Sequence, residues 1–282
     1  MTSSKPTIAF QGEPGAYSEL ACLNVFPEYA RVPSLTFEDA FQQVESGEVE
    51  LAMIPLENST AGRVEEIYHR IPETSLHVIG EHFEPISHCL LAAPGASLGE
   101  LTHVGSHPQA LAQCARHIDK LGLTRVVMGD TAGAAQQLAE TPQVGHGAIA
   151  SRLAAELYGL EILQRDFQDR SGNTTRFLVF SREDRVPEQT PGGHYITSLM
   201  FRVHNRPAAL YKAMGGFATN GINLVKLESY MPDDSFQSSQ FYLDIEAHRD
   251  EQRVRYALEE LQFYSETLRI IGTYPAHAHR YQ

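Results

Sequence analysis

The sequence predicts an α/β protein with a two-lobed N-terminal region and a smaller ferredoxin-like βαββαβ domain after it. Three observations predict this. Strand-like and helical patterns alternate from residue 6 to about 160. The apolar run Phe177-Leu178-Val179-Phe180 then reads as a buried strand that returns to the first lobe. Finally, EDRVPEQTPGGH (183–194) is polar and rich in Pro and Gly, and the texture changes beyond it. Taken in order, residues 6–11 form a strand, Pro14-Gly15 turns the chain, and Tyr17, Leu20, Ala21 and Val25 mark a helix. Thr36 to Asp39 has the hydroxyl and early acids of a helix start. Residues 50–56 are a strand, and Gly62 to Ile71 a helix.

The second lobe repeats this style. LHVIGEHF and ISHCLLAA within 76–93 are strand candidates, followed by a strand near 102–105, a helix over 108–121 and a strand at 124–128. A helix from Thr131 to Glu140, a strand at 146–150, a helix from Arg152 to Tyr158 and a strand near 160–165 complete it. After 194, YITSLMFRV is a strand, Asn205-Arg206-Pro207 starts a helix, and Asn220-Gly221 ends it. INLVKLESY, a turn at Asp233-Asp234, QFYLDIEAH, a helix through Val254, Ala257, Leu258 and Leu261, and ETLRIIGTY complete βαββαβ. The tail PAHAHRYQ reads as loose.

The chain has 282 residues and a formal net charge of −13. With no Lys/Arg cluster, that balance argues against a nucleic-acid partner, and it requires local positive charge for any anionic substrate. MTSSKPTIAF carries no signal-peptide pattern, and no apolar run is long enough to cross a membrane. Cys22, Cys89 and Cys114 are odd in number and lie in apolar surroundings, so the expectation is a reduced, cytoplasmic protein without disulfides.

No nucleotide motif is present, and Gly12-Glu13-Pro14-Gly15 is no dinucleotide fingerprint. His103 and His107 are four apart, but Gly105 and Pro108 oppose a continuous helix, so no metal site is expected. Polar groups at strand ends remain. In SGNTTRFLVF, Thr174, Thr175 and Arg176 stand at a strand mouth, either as a solvated strand entry or as an anion grip with a hydroxyl donor. In PLENSTAGRV (55–64), Ser59 and Thr60 would cap a helix beside Glu57 and Asn58; in GSHPQALAQC, Ser106 would cap one that carries Gln113. Each also reads as a plain turn and cap. Together they suggest a cleft for a small anion that is already reactive, where donors assist a leaving group and fix geometry without a cofactor.

With AFQGEPGAYSE (9–19), PLENSTAGRV, SHPQALAQC, GNTTRF (172–177) and GINLVKLES (221–229) in this order, nearly the whole chain resembles prephenate dehydratase with a C-terminal regulatory ACT domain. The resemblance implies a type II periplasmic-binding-protein-like catalytic domain at 5–182, with lobes of about 5–76 plus 160–182 and 77–159. It also implies a linker at 183–194, an ACT domain at 195–275, and a homodimer or homotetramer. The implied reaction removes carbon dioxide and water from prephenate, or from arogenate in the related enzymes. Aromatisation drives it, so no cofactor is implied. The family motif assigns Thr175 as donor to the departing hydroxyl and Arg176 to a carboxylate, with Glu57 and Asn58 as further catalytic positions. Ser59, Thr60, Ser106, Gln113 and Thr174 are implied in substrate binding. L-phenylalanine control is implied at Asn205, Ala208, Ala209, Leu210, Asn223, Glu228 and Ser229. The family often has Gly-Ala-Leu where this chain has Ala208-Ala209-Leu210, and Glu-Ser-Arg-Pro where it has Glu228-Ser229-Tyr230-Met231; weakened phenylalanine control is expected. A non-catalytic amino-acid sensor is the rival reading.

Overall fold

The computed structural model describes residues 5–231 and 239–281. In order, the elements are β1 (Thr7–Gln11), α1 (Tyr17–Val25), β2 (Ala30–Ser34), α2 (Phe37–Ser46), β3 (Leu51–Asn58), β4 (Gly62–Arg63), α3 (Glu65–Arg70), β5 (His77–Pro85) and β6 (Cys89–Ala92). Next come β7 (His103–Ser106), α4 (Pro108–Gln113), α5 (Ala115–Lys120), β8 (Thr124–Val127), α6 (Thr131–Glu140), β9 (His146–Ala150), α7 (Arg152–Tyr158), β10 (Glu161–Gln164) and β11 (Thr174–Ser181). The chain continues through β12 (Tyr195–Val203), α8 (Ala209–Thr219), β13 (Leu224–Tyr230), β14 (Gln240–Ile245), α9 (Gln252–Tyr264) and β15 (Ser265–Pro275). Residues up to Arg63 with Phe83–Phe177 form one compact unit, and Val64–His82 with Leu178 onward form the other.

Three sheets result. The first runs β2-β1-β3-β11-β5, with β4 hairpinned onto β3; the second runs β10-β6-β9-β7-β8. The pairings β1/β2 and β1/β3 in the first and β7/β8 and β7/β9 in the second are parallel. The third, β13-β14-β12-β15, is the antiparallel ferredoxin-like sheet, with β12 in its interior. Its core packs Leu199, Phe201 and Leu243 of the strands against Phe217 of α8 and Leu261 of α9. The expected order βαββαβ is therefore present.

Local rules account for most elements. Thr36 and Asp39 exchange a reciprocal capping box at α2, and Gly47 closes that helix in the left-handed region at φ 85°. Strand β2 escapes sequence detection because Pro33 breaks its pattern; it lies at a sheet edge, where a missing N–H is tolerated. Gly15, at φ 91°, permits a close approach: a Cβ there would sit 2.8 Å from the Ala154 Cα. Ser151 Oγ donates to the Gly15 carbonyl at 2.6 Å and the Tyr158 hydroxyl to that of Pro14 at 2.8 Å, so the GEPG turn of the first lobe rests on α7 of the second.

Several expectations need correction. No helix begins at Gly62, because Gly62 and Arg63 pair with Asn58 and Glu57 as a hairpin; Ser59 and Thr60 sit in its turn and cap nothing. The helix over 108–121 is broken at Cys114, beyond which the Arg116 and His117 amides donate to the Asp169 carboxylate. Helix α8 starts at Ala209, two residues beyond Pro207. Ala208, its N-cap, holds a left-handed φ of 63° without a glycine. The turn expected at Asp233-Asp234 lies outside the described residues. The tail is not loose: Arg280 makes two hydrogen bonds, of 2.6 and 2.7 Å, to the fully buried Glu81 carboxylate, which also accepts from the His277 amide, and the Tyr281 hydroxyl donates to Glu246.

Removing Arg280 withdraws the main cation from a buried carboxylate. Arg280→Ala should therefore lower stability by about 3 kcal/mol. Urea denaturation followed by circular dichroism would measure it, and a midpoint equal to wild type would show that the tail contributes nothing.

Candidate active site

The polar residues at the ends of β3 and β11 form one connected network. Asn58, at the end of β3, accepts from the backbone amides of Thr60 and Ala61 through Oδ1, at 3.0 and 2.9 Å. A backbone amide can only donate, so the carboxamide has one orientation and its NH2 points the other way. That NH2 donates to Thr175 Oγ1 at 2.9 Å and to Asn173 Oδ1 at 2.7 Å. Asn173 Oδ1 also accepts from Thr60 Oγ1 at 2.9 Å, and Asn173 Nδ2 donates to Gln113 Oε1 at 3.1 Å. Ser59 Oγ donates to the Gly172 carbonyl and accepts from the Thr174 amide. The β3–β4 hairpin is thereby stitched to the entry of β11.

The sequence placed Arg176 at a substrate carboxylate, with a solvated strand entry as the alternative. Arg176 is 2% exposed, so its guanidinium does not face water, while Thr174 and Thr175 are half-buried. Its Nη1 meets Glu57 Oε1 at 3.2 Å, and its guanidinium lies 6.0 Å from the centre of the Phe83 ring. Ser106 belongs to β7, is fully buried, and donates to the Ile149 carbonyl at 2.6 Å. The cap of α4 is His107 instead, whose Nδ1 accepts from the Gln109 amide.

A cavity of about 650 Å³ opens beside this network. Ser59, Thr60, Gln113 and Asn173 line it on the network side, and Gln109, Arg116, Asp169 and Arg170 contribute as well. Asn58 adjoins that lining by bonding both Asn173 and Thr175, and Glu57 is its strand neighbour. Arg116 and Arg170 supply the local positive charge that an acidic chain needs for an anion. Sequence reading missed both, because a single arginine on a helix or loop carries no motif. It also missed Asn173, although that residue sits inside GNTTRF.

The positions expected to bind phenylalanine divide. Asn205, Ala208, Ala209 and Leu210 line a separate cavity of about 300 Å³, with His204, Arg206, Met231 and Phe241. Asn223 instead bonds Glu246 and Glu228 bonds Lys226, while Ser229 is paired with Phe241 in the sheet. Tyr230 is buried edge-on against Tyr68 and His69 rather than in that cavity, and burial raises its pKa.

The three thiols are buried, and burial raises the pKa of each, with Cys114 pushed up to about 12. A thiol kept protonated is a poor nucleophile. None should react with a disulfide reagent in the native protein at pH 8, and all three should react after denaturation. Native labelling at any one of them would contradict this burial. Arg176→Lys keeps the charge but loses the planar fork, so it should cost about 2 kcal/mol of stability in chemical denaturation.

Over residues 8–185 the chain matches the prephenate dehydratase family. It is 48% identical over 270 residues to a protein of Komagataeibacter europaeus described as a bifunctional N-acyl-homoserine lactone acylase/prephenate dehydratase, covering 95% of each. It is 41% identical to arogenate dehydratase/prephenate dehydratase 1 of Arabidopsis thaliana, covering 96% of this chain and 72% of that protein. Among solved structures, a prephenate dehydratase from Arthrobacter aurescens in complex with L-Phe superposes with a TM-score of 0.86 at 30% identity, over 96% of this chain and 90% of that one. By sequence and by fold, this chain belongs to the prephenate dehydratase family, a family of lyases.

Proposed function

We propose that the chain converts prephenate to phenylpyruvate, with Thr175 as hydrogen-bond donor to the departing hydroxyl. The observation that carries this is the fixed orientation of Asn58. Its NH2 occupies one lone pair of Thr175 Oγ1, which leaves the hydroxyl proton to be directed elsewhere. In the reaction the bond from the ring to the carboxylate breaks and releases carbon dioxide. Its electron pair enters the ring, and the hydroxyl at the far side leaves with a proton as water. The driving force lies in the substrate, so a positioned weak donor suffices. Arg116, Arg170 and the NH2 of Gln113 are suited to the carboxylates, with Ser59 and Thr60 beside them. Arg176 and Glu57 support the strand ends from behind.

On this reading residues 5–182 are the catalytic domain, 183–194 a linker, and 195–275 an ACT domain that binds L-phenylalanine at the cavity lined by Asn205 and Ala208–Leu210. The protein acts as a homodimer or homotetramer in the cytoplasm. A relative solved with L-Phe supports the phenylalanine site. Relatives named arogenate dehydratases make arogenate the second substrate to assay. A non-catalytic sensor would have no use for the oriented Thr175.

Purified protein mixed with prephenate or arogenate, with phenylpyruvate or phenylalanine followed over time, tests the activity; turnover of neither would overturn it. Thr175→Ala should lower kcat by roughly 10²–10⁴-fold with little change in KM. Asn58→Asp replaces the donor facing Thr175 by an acceptor, turns the threonine proton inward, and should lower kcat by about 10²-fold. Near-wild-type turnover in either folded variant would remove Thr175 from this role. At Ala208 the left-handed φ suits glycine, so Ala208→Gly should raise stability by about 1 kcal/mol and sharpen phenylalanine inhibition. Thermal denaturation and a phenylalanine titration would check both.

A further inference from the structure

His88 lies just before β6, is 2% exposed, and has polar partners on both ring nitrogens. Nε2 is 2.8 Å from Gln113 Oε1, and Nδ1 is 2.8 Å from the Tyr17 hydroxyl, which is also 2.8 Å from the Ser87 carbonyl. Sequence reading took this histidine as part of a strand, and no step above uses it.

The tautomer of His88 follows from the network. The Thr60 and Ala61 amides set Asn58, Asn58 sets Asn173, and Asn173 Nδ2 makes Oε1 the Gln113 atom that faces inward. An amide oxygen only accepts, so Nε2 must carry the proton that points at it. Nδ1 is then an acceptor facing the Tyr17 hydroxyl, whose single proton is shared between Nδ1 and the Ser87 carbonyl, each 2.8 Å away. Burial lowers the pKa of His88, although the Gln113 bond opposes that shift, and so favours the neutral ring. Two donors therefore converge on Gln113 Oε1. Among the described residues, the Gln113 NH2 has no protein partner, and Gln113 lines the 650 Å³ cavity.

We propose that His88 is a positioning residue, held as the Nε2–H tautomer, that fixes the Gln113 carboxamide with its oxygen inward and its NH2 offered to an anionic group of the substrate. This deepens the assignment of the cavity as the substrate site and rests on it. Without the Nε2–H donor, Asn173 alone holds Gln113 Oε1, and the carboxamide can turn its oxygen toward the cavity, where it opposes a carboxylate.

Two measurements on the full chain test the proposal. Nitrogen-15 imidazole spectra of the labelled wild type should show His88 with Nε2 protonated and Nδ1 bare at neutral pH; an Nδ1–H tautomer or an imidazolium would overturn it. In the dehydratase assay, His88→Asn, too short to reach Gln113, should raise KM about tenfold, the effect of losing one buried hydrogen bond, with kcat within about threefold. His88→Gln places an amide donor near Nε2 and should return KM to within about threefold of wild type. If folded His88→Asn and His88→Gln bind substrate alike, the ring merely packs and the proposal fails. If wild type turns over neither prephenate nor arogenate, the functional assignment fails, and the tautomer spectrum still decides the His88–Gln113 arrangement.

Discussion

Two backbone amides, those of Thr60 and Ala61, hold the oxygen of Asn58, and the polarity of the whole site descends from that constraint. Because main-chain N–H groups cannot reverse, the side-chain amides beyond them have no free choice either. Asn173, Gln113 and His88 each take the role left by the neighbour before it. A network in which every member has one compatible role is rigid, and rigidity is what a weak donor such as a threonine hydroxyl needs. The hairpin β3–β4 matters for the same reason: by bringing Thr60 and Ala61 back over Asn58, it supplies the fixed donors.

Behind this network, charge is buried for support. Arg176 and Glu57 lie on strands at the site and meet each other. Arg176 is removed from water while Glu57 keeps 33% of its side chain exposed, so the pair compensates one buried charge with a partner that solvent still reaches. Its benefit here is placement: Thr175 and Asn58 are the strand neighbours of Arg176 and Glu57, so the pair fixes both strand ends. Glu81 and Arg280 repeat the arrangement in the other unit, joining the end of the chain to β5.

Charge at the cavity follows a different logic. The chain is strongly acidic overall, yet Arg116 and Arg170 reach the cavity. Both follow from the break at Cys114: Asp169 caps the second helix segment, which brings the loop carrying Arg170 against the turn carrying Arg116.

The sequence by itself determined the order of elements, the βαββαβ domain, and the motifs at the ends of β3 and β11. Those depend on apolar period, capping residues and turn residues, all local. It did not show β2, whose Pro33 is acceptable only at a sheet edge, nor the hairpin at Gly62-Arg63, whose pairing needs β3 beside it. Ser106 looked like a cap and is a buried strand residue; Arg176 read as either a solvated entry or an anion grip and is enclosed beside Glu57; the tail looked loose and is tied to Glu81. In each case the deciding partner, Ile149, Glu57 or Glu81, lies far along the chain. Tertiary structure alone decided which amide faces which hydroxyl, because a carboxamide has two nearly equivalent orientations, and only neighbours brought together by folding distinguish them.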